Sequence, residues 1–227
     1  MIKFRDGFYT DVRTEDRSRT TISYKSGALE EMKTCIERRA FLRVYDGKMW
    51  YYASVTDLTH LQKTLDELYD AAVPNGKILD DPIVRKFEIN NDEVLNFANC
   101  SVRNVPLQEK QTLLLSYLPL LSEDKCISIP EGRYLDRNSL FHFQSSLGAN
   151  ITYDYQTCGF VLSCSMVEKD KKFSGDWQKG VTKFEDLKGL EQEIRTSIAE
   201  QIVFMRNSVP VDPGKYPVIL SPEAAGV

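Results

Sequence analysis

The sequence is poor in the side chains that hold transition metals. It contains two histidines, His60 and His142, which fall on different predicted elements. Its five cysteines are an odd number and include no Cys-x-x-Cys pair, which argues against a disulfide framework and against a zinc ribbon. A zinc site needs about four such ligands in one place. We therefore predict no catalytic residue, no cofactor-binding residue and no metal ligand in this chain, and no tightly bound zinc.

Long apolar runs and an excess of basic residues are also missing. No run approaches the roughly 18 apolar residues of a membrane span, and residues 1–7 (MIKFRDG) contain no apolar stretch of signal-peptide length. The formal net charge is −4. This charge argues against nucleic acid as the main partner, because duplex binding depends on Lys and Arg against phosphate. We expect a cytoplasmic protein that binds neither membrane nor nucleic acid.

The isolated cysteines and histidines have simple structural interpretations. Cys158 and Cys164 lie six residues apart in a strand-like stretch, so both face one side of the strand. A buried apolar role is favoured for them over a redox role. His60 projects toward the side or the solvent face of a helix, and a metal role is its weaker alternative. His142 alternates with two phenylalanines and is expected on the exposed or cross-strand side of a strand.

Residues 1–73 are predicted to form an antiparallel meander covered by one helix. Aromatic and β-branched stretches predict five strands, at residues 8–13, 20–25, 29–37, 41–45 and 49–54. Ser26-Gly27 and Asp46-Gly47 supply turns. From Asp57 to Ala72, leucines recur at steps of three and four, which is typical of an amphipathic helix. A solvated sheet face, rather than an acid–base pair, is expected for the charged residues Glu30, Glu31, Glu37, Arg38 and Arg39.

Residues 74–104 have few periodic apolar positions and are predicted to be a linker. A second α+β unit, residues 105–208, begins with a helix near Pro106 that Pro119 should kink or end. Strands and turns follow, with strands at residues 126–129, 139–144, 150–155 and 159–166 and turns at 145–148 and 169–172. A helix from Glu185 to Met205 carries one apolar face and completes the unit.

Residues 209–227 are interpreted as the start of a third, truncated domain. A loop rich in Pro and Gly leads to the apolar run Tyr216 to Leu220, which is long enough for a buried strand. Ser221 is a good N-cap, Pro222 suits the first helical position, and Glu223 complements the helix dipole. The predicted fold class is therefore α+β, with two antiparallel-sheet-plus-helix domains followed by the start of a third.

The order of these motifs resembles the TldD/PmbA family, whose members were once called modulators of DNA gyrase. The final run YPVILSPEAAGV is similar to the segment that precedes that family's metal-binding helix. The first-domain features that match, in chain order, are Asp11-Val-Arg13, Ser26-Gly27, Leu29-Glu-Glu31, Asp46-Gly47, Trp50 to Ser54 and the helix from Leu58. Residues 37–43 are bulky and charged where family members usually have glycine, which indicates a divergent member.

The second unit is similar to the family as well. It has a helix, a sheet with the turn Ser145-Ser-Leu-Gly148, and a long helix leading toward the metal-site domain. The turn has Ser145 where the family frequently has Asn. No single motif is specific, but their order over nearly the whole chain is.

The resemblance implies a zinc metallopeptidase that acts on unfolded peptides or small proteins. Its His-Glu-x-x-x-His helix would lie just beyond Val227, so zinc would belong to the full-length protein and not to this chain. The chain would then supply scaffold, subunit contacts and one wall of the substrate cleft. A homologous subunit would be its partner, in a homodimer or in a TldD–TldE-like heterodimer.

Three alternatives stay open from the sequence. The family has a metal-free branch resembling PmbA (TldE), and Gly226-Val227 favours the metal-bearing branch over it. Membership of that branch would make the chain a non-catalytic partner subunit; a peptide-binding module or an unrelated two-domain α+β interaction protein would also have this composition. For subunit contacts, the candidate is the aromatic cluster Trp50-Tyr-Tyr52. Because alternation sends Trp50 and Tyr52 to one face and Tyr51 to the other, at least one aromatic is expected to face outward.

Overall fold

A computed structural model describes residues 2–226, apart from the side chain of Glu223. Within these residues, one seven-stranded sheet forms the framework of the molecule. The strands are β1 (Tyr9–Lys25), β2 (Ala28–Tyr45), β3 (Trp50–Val55), β4 (Asn91–Val94), β5 (Ile127–Ser145), β6 (Asn150–Glu168) and β7 (Lys171–Val181). The helices are α1 (Leu61–Ala71), α2 (Leu107–Tyr117), α3 (Glu191–Asn207) and α4 (Pro222–Ala225). No described helix has the length and apolar character needed to span a bilayer.

The sheet runs in the order β3-β2-β1-β5-β6, with β4 and β7 both pairing with β6. All pairs are antiparallel except β4–β6, which is parallel. β1 pairs with β5 from Asp11 opposite Ser145 to Lys25 opposite Glu131. The α+β class is confirmed, but the prediction of two separate sheets is wrong, because β1–β5 pairing joins them. The boundaries 1–73, 74–104, 105–208 and 209–227 stay a prediction.

The long strands β1 and β2 replace four shorter predicted strands. β1 unites residues 8–13 with 20–25, and β2 unites 29–37 with 41–45. The polar stretches between them stay in the sheet because opposite charges face each other across the two strands. The facing pairs are Glu15 with Arg39, Asp16 with Arg38 and Arg17 with Glu37. Such cross-strand pairs stabilise a sheet, so charge here extends a strand where the sequence predicted a break.

The second half of the sheet is also longer than predicted. β5 and β6 each absorb two predicted strands, and the turn at residues 145–148 joins them as expected. The hairpin near residues 169–172 is present and turns the chain into β7, which pairs along β6 from Glu168 to Cys158. The predicted linker contains the short strand β4 and several 3-10 turns. It crosses the molecule as an ordered segment.

Two hydrophobic cores lie on one face of the sheet, one near each end. α1 covers the first core, in which Leu42 and Leu65 are fully buried. α2 and α3 cover the larger second core, which contains Tyr134, Phe160 and Ile194. A polar patch separates the two. Because each core has its own helices, the hydrophobic pattern of the sequence predicts two domains, although one continuous sheet joins the two cores.

The polar patch between the cores is built around Asp16. Its carboxylate accepts hydrogen bonds from Arg38 Nε at 2.7 Å and from Arg103 at 2.5 Å. Burial would raise the pKa of Asp16, but the hydrogen bonds from Arg103 and Arg38 hold it below its ordinary value. Arg103 belongs to the predicted linker, so this carboxylate joins β2, β1 and the linker.

The helix boundaries differ from prediction for identifiable local reasons. The helix predicted from Asp57 opens as a 3-10 turn, in which Asp57 Oδ1 accepts from the Thr59 N–H at 2.9 Å. α2 ends at Tyr117, and Pro119 lies in the 3-10 turn that follows, as its fixed φ and missing donor predicted. The helix predicted from Glu185 begins only at Glu191. Gly189, at φ +74°, separates it from a 3-10 turn.

The C-terminal segment departs most from the sequence prediction. Residues 216–220 form no strand, and Ile219 is 97% exposed. No described strand lies beside this segment to accept its hydrogen bonds, and its assignment to the start of a truncated domain stays a prediction. Ser221 does cap α4, with its Oγ accepting from the Ala224 N–H at 3.2 Å. The expectations for the Glu223 side chain and for Val227 fall outside the described residues.

Candidate binding surface on the helix-free face of the sheet

The face of the sheet opposite α1, α2 and α3 carries most of the polar residues. We call it the helix-free face; it presents the odd-numbered side chains of β1, β2, β5 and the first half of β6. Residues 78–87 of the linker cover one end of it. There Tyr9 stacks on Phe87 at 4.4 Å and Tyr45 stacks on Trp50 at 4.7 Å between ring centroids. Beyond this end, no described helix lies over the face.

Glu15 is the buried centre of the helix-free face, at 5% exposure. Its carboxylate accepts hydrogen bonds from Arg39 Nε at 2.6 Å, Arg137 at 2.8 Å and Ser139 Oγ at 2.8 Å. Burial alone would raise the pKa of Glu15, but the hydrogen bonds from Ser139, Arg39 and Arg137 hold it below its ordinary value. Glu15 is therefore a carboxylate at neutral pH that fixes two arginines, and it has no proton to give as an acid.

Two further carboxylates on this face neutralise arginines. Asp11 accepts a bidentate hydrogen bond from Arg43, with the closest contact at 2.7 Å. Glu37 pairs with Arg17 and with Arg19, the latter at 3.0 Å. Planar guanidinium groups held in this way keep further N–H donors pointing outward. Together with Glu15, these two carboxylates hold five arginines, so the surface offers fixed donors and an excess of positive charge.

Aromatic side chains alternate with these charges. Phe141 stacks on Tyr153 at 4.8 Å, and Phe41 lies 6.1 Å from Tyr52. The guanidinium of Arg13 lies 5.8 Å from the Phe143 ring centroid. Arg13 is exposed, and no carboxylate of residues 2–226 lies within ion-pair distance of it. It is a cation held over an aromatic ring and open to an anionic partner.

A shallow cavity of about 300 Å³ opens between these groups. Its walls are Arg13, Glu15, Arg39, Ala40, Phe41, Ser54 and Phe141. Phe41 and Phe141 would contact an apolar side chain, and Arg13 would hydrogen-bond a carboxylate. This combination of aromatic rings and an unpaired guanidinium suits an extended polypeptide that carries apolar and acidic side chains.

Protonation of Glu15 gives a pH-dependence that can be measured. Because its folded-state pKa is lowered, its contribution to stability is complete above its unfolded-state pKa of about 4.3 and is lost as pH falls through the folded-state value. We expect Glu15→Gln to lower the melting temperature at pH 7 and to differ less from the wild type below pH 4. Thermal unfolding followed by circular dichroism at both pH values tests this. An equal difference at both pH values would contradict it.

The two histidines and the buried cysteines do not contribute to this surface. His60 is exposed at the end of a 3-10 turn. His142 is on β5, where its Nε2 lies 2.7 Å from Asn150 Oδ1. The two histidines are therefore on different elements. Cys158 and Cys164 are buried against the helices, which confirms their predicted place. Burial raises the pKa of Cys158 to about 12 and that of Cys164 to about 11. Both thiols therefore stay protonated and unreactive at neutral pH.

The zinc that the family resemblance implies does not fit the residues described here. Within residues 2–226, no group of three or more His, Cys, Asp or Glu side chains is placed to hold a metal ion. We therefore derive no chemistry through a metal from this chain. The prediction that it contributes no metal ligand stays a prediction.

The aromatic cluster of β3 divides differently from the sequence expectation. Tyr51 packs against the α1 core, and its hydroxyl donates to Asp46 at 3.3 Å. Trp50 is covered by Tyr45, whereas Tyr52 is 68% exposed. Tyr52 is thus the outward aromatic. Trp50 and Tyr51, which the sequence offered for a subunit contact, pack within this chain.

A buried ion pair between α2 and the sheet was missed by the sequence reasoning. Lys110 Nζ lies 2.6 Å from Asp136 Oδ2, and the two side chains are 3% and 1% exposed. Asp136 also accepts the Tyr134 hydroxyl at 2.8 Å and the Thr20 N–H at 3.0 Å. A signal was available, because Lys110 occupies a position of the apolar stripe of α2, four residues before Leu114. A charged residue on such a stripe indicates a buried partner.

Comparison with known proteins identifies the relatives of this fold. The family model described as PmbA/TldA metallopeptidase domain 1 matches residues 10–73. A metalloprotease of Methanocaldococcus jannaschii is 22% identical over 224 residues, which cover 97% of this chain and 49% of that protein. The chain therefore spans about half the length of this curated relative.

Two solved structures share the fold. A candidate modulator of DNA gyrase from Thermotoga maritima superimposes with a TM-score of 0.70 at 13% identity, over 90% of this chain and 46% of that one. TldE from Thermococcus kodakarensis superimposes with a TM-score of 0.69 at 10% identity, over 89% of this chain and 46% of that one. The family model that matches the first domain, the relative aligned along 97% of the chain and the shared fold all support membership of the TldD/PmbA family.

Proposed function

We propose that this chain is the front half of a TldD-like zinc metallopeptidase that acts on unfolded peptides or small proteins. One observation carries the proposal. A metalloprotease aligns with 97% of this chain, yet the alignment covers only 49% of the metalloprotease. The matching family model is likewise the first domain of a metallopeptidase. The remaining half of such a protein would hold the zinc.

In this proposal the chain provides one wall of the substrate cleft and no catalytic group. The helix-free face suits that role because it is open, because its carboxylates are already paired, and because aromatic rings alternate with guanidinium groups. An unfolded peptide brings both apolar side chains and charges to such a surface. Binding would depend on the presence of both apolar and charged side chains in the peptide rather than on one particular peptide sequence.

Arg13 is the residue we assign to anchoring the peptide. It is the cation of the cavity that lacks a carboxylate partner among the described residues. A peptide carboxylate, from an Asp or Glu side chain or from the C-terminus, would meet it without displacing an internal ion pair. Phe41 and Phe141 on the cavity wall would hold the neighbouring apolar side chain.

Binding of an unfolded peptide to the purified chain tests this proposal. The probe is a fluorescein-labelled, 12-residue random-coil peptide that contains Phe and Asp, followed by fluorescence anisotropy. We expect saturable binding in the micromolar to millimolar range, weakened when Asp is replaced by Asn in the peptide. No binding at about 1 mM chain would contradict the assignment of the helix-free face as a cleft wall.

The second candidate is a metal-free partner subunit similar to PmbA or TldE. Its support is that TldE from Thermococcus kodakarensis shares this fold as well as the other neighbours do, with a TM-score of 0.69. The two candidates differ in what the gene encodes after residue 227. A His-Glu-x-x-x-His sequence there would support the peptidase, and its absence would support the partner subunit. Peptide binding by the helix-free face is compatible with both.

A further inference from the structure

We propose that the helix-free face has a second anion site between Arg19 and Arg137, which binds a second acidic side chain of the peptide that Arg13 anchors. Arg19 and Arg137 lie directly opposite each other across β1 and β5. Like charges in facing positions destabilise a sheet, so an anion bound between the two would relieve their repulsion. This assignment rests on the proposed function, because both acidic groups belong to the same unfolded peptide.

The carboxylates of the chain neutralise this part of the face only in part. Two carboxylates are shared among four guanidinium groups, which leaves two positive charges without a counterion. The carboxylates are those of Glu15 and Glu37, and the guanidinium groups are those of Arg17, Arg19, Arg39 and Arg137. The contact from Arg19 to Glu37 is 3.0 Å and that from Arg137 to Glu15 is 2.8 Å. Each carboxylate therefore fixes an arginine of the facing pair without balancing it.

Hydrogen-bond donors also outnumber acceptors here. Arg17 lies on β1 between Glu15 and Arg19, and its Nε is buried without a hydrogen-bond partner among residues 2–226. A buried donor left unpaired is costly, so this part of the face is short of acceptors. The side chains of Arg19 and Arg137 are 49% and 36% exposed, and a carboxylate arriving from solvent can reach both.

The distance between the two sites sets the spacing of the acidic residues. Arg13 and Arg19 are six residues apart on β1 and project from the same face. Six residues of an extended chain span about 20 Å. A peptide that lies along β1 has the same rise per residue, so its acidic residues must also be six apart. A spacing of five would turn the second acidic side chain away from the sheet, because successive side chains of an extended chain alternate.

Aromatic rings lie between the two sites. Phe141 is opposite Glu15 across β1 and β5, and Tyr155, at 48% exposure, lies one step further along the face on β6. The Arg137 guanidinium lies 5.8 Å from the Tyr155 ring centroid, which holds it beside the path of the peptide. Apolar side chains two and four residues after the first acidic residue would contact these rings. The preferred peptide has a spacing of residue types rather than one sequence.

Two fluorescein-labelled, 12-residue peptides of identical composition test the spacing. Each has two Asp and two Phe residues in a background of Gly and Ser. The Asp residues are six apart in the first peptide and five apart in the second. We expect the first peptide to bind the chain roughly fivefold more tightly in fluorescence anisotropy, which is the most that an exposed ion pair usually gives.

Arg19→Gln separates the second site from the first. Glu37 keeps Arg17 as its partner in this variant, so folding should be little affected, which thermal unfolding verifies. We expect Arg19→Gln to weaken binding of the six-apart peptide to the level of the five-apart peptide and to leave the five-apart peptide unchanged within about twofold. Lys63→Gln is the matched control, because it removes one positive charge from α1 on the other side of the sheet. It should weaken neither peptide.

Equal affinity for the two peptides, or equal weakening of both by Arg19→Gln, would overturn the second site. If Arg13→Glu still weakens both peptides in that case, the second site fails while the proposed function stands. If neither peptide binds, both fail. A single-stranded DNA oligonucleotide of 12 nucleotides that displaces the six-apart peptide at a lower concentration than the unlabelled peptide does would show that these arginines bind phosphates, and would also overturn the assignment.

Discussion

Lys110→Ala is expected to lower the free energy of unfolding by about 3–5 kcal/mol, because it leaves the Asp136 carboxylate buried without its cation. The remaining hydrogen bonds to Asp136, from Thr20 and Tyr134, cannot neutralise that charge. Burial and the nearby Asp136 raise the pKa of Tyr134, so its hydroxyl stays protonated and continues to donate. Urea unfolding followed by circular dichroism measures the loss.

Two variants separate a lost ion pair from general damage to the helix. Lys63→Ala removes an exposed lysine of α1 and should change stability by less than about 0.5 kcal/mol. Combining Lys110→Met with Asp136→Asn removes both charges and keeps an oxygen acceptor for the Thr20 N–H. We expect this double variant to be more stable than Lys110→Ala. If Lys110→Ala costs no more than Lys63→Ala, the buried pair does not hold α2 on the sheet.

The second large effect concerns binding. Arg13→Glu should weaken binding of the peptide probe by at least tenfold, since it replaces a charge-assisted hydrogen bond, worth about 1.5–3 kcal/mol, with repulsion of the same carboxylate. Arg13 makes no ion pair within the described residues, so folding should be little affected. Fluorescence anisotropy gives the dissociation constant, and thermal unfolding verifies the fold.

The matched control for Arg13 is Lys63→Glu. It makes the same change in net charge on α1, which lies on the opposite side of the sheet. We expect the dissociation constant of this control to stay within about twofold of the wild type. Equal weakening by both variants would show that net charge alone governs binding and would remove Arg13 from the proposed site.

Local features of the fold could be predicted from the sequence because their causes are local. Asp57 caps a helical turn, Pro119 ends α2 and Ser221 caps α4, each through its own backbone geometry or side-chain oxygen. The turns at Ser26-Gly27 and Asp46-Gly47 have glycines at φ +81° and +95°. Such positions can be predicted from the residue type alone.

The features that the sequence missed depend on partners distant in the chain. β1 pairs with β5 more than 100 residues later, and the two helix-covered cores at its ends gave the pattern of two domains. The sequence predicted a solvated sheet face for charged residues such as Arg38 and Arg39, and both arginine side chains are exposed. Their partners Asp16 and Glu15 are more buried, and only the register reveals them. The helix-free face could not be located without that register.

The most direct test of the proposed metallopeptidase is metal analysis and peptidase assay of the complete gene product that contains this chain. The account predicts about one zinc ion per chain, cleavage of an unfolded peptide that stops on chelation, and no zinc in residues 1–227 expressed alone. A complete gene product with neither bound metal nor peptide cleavage would contradict it.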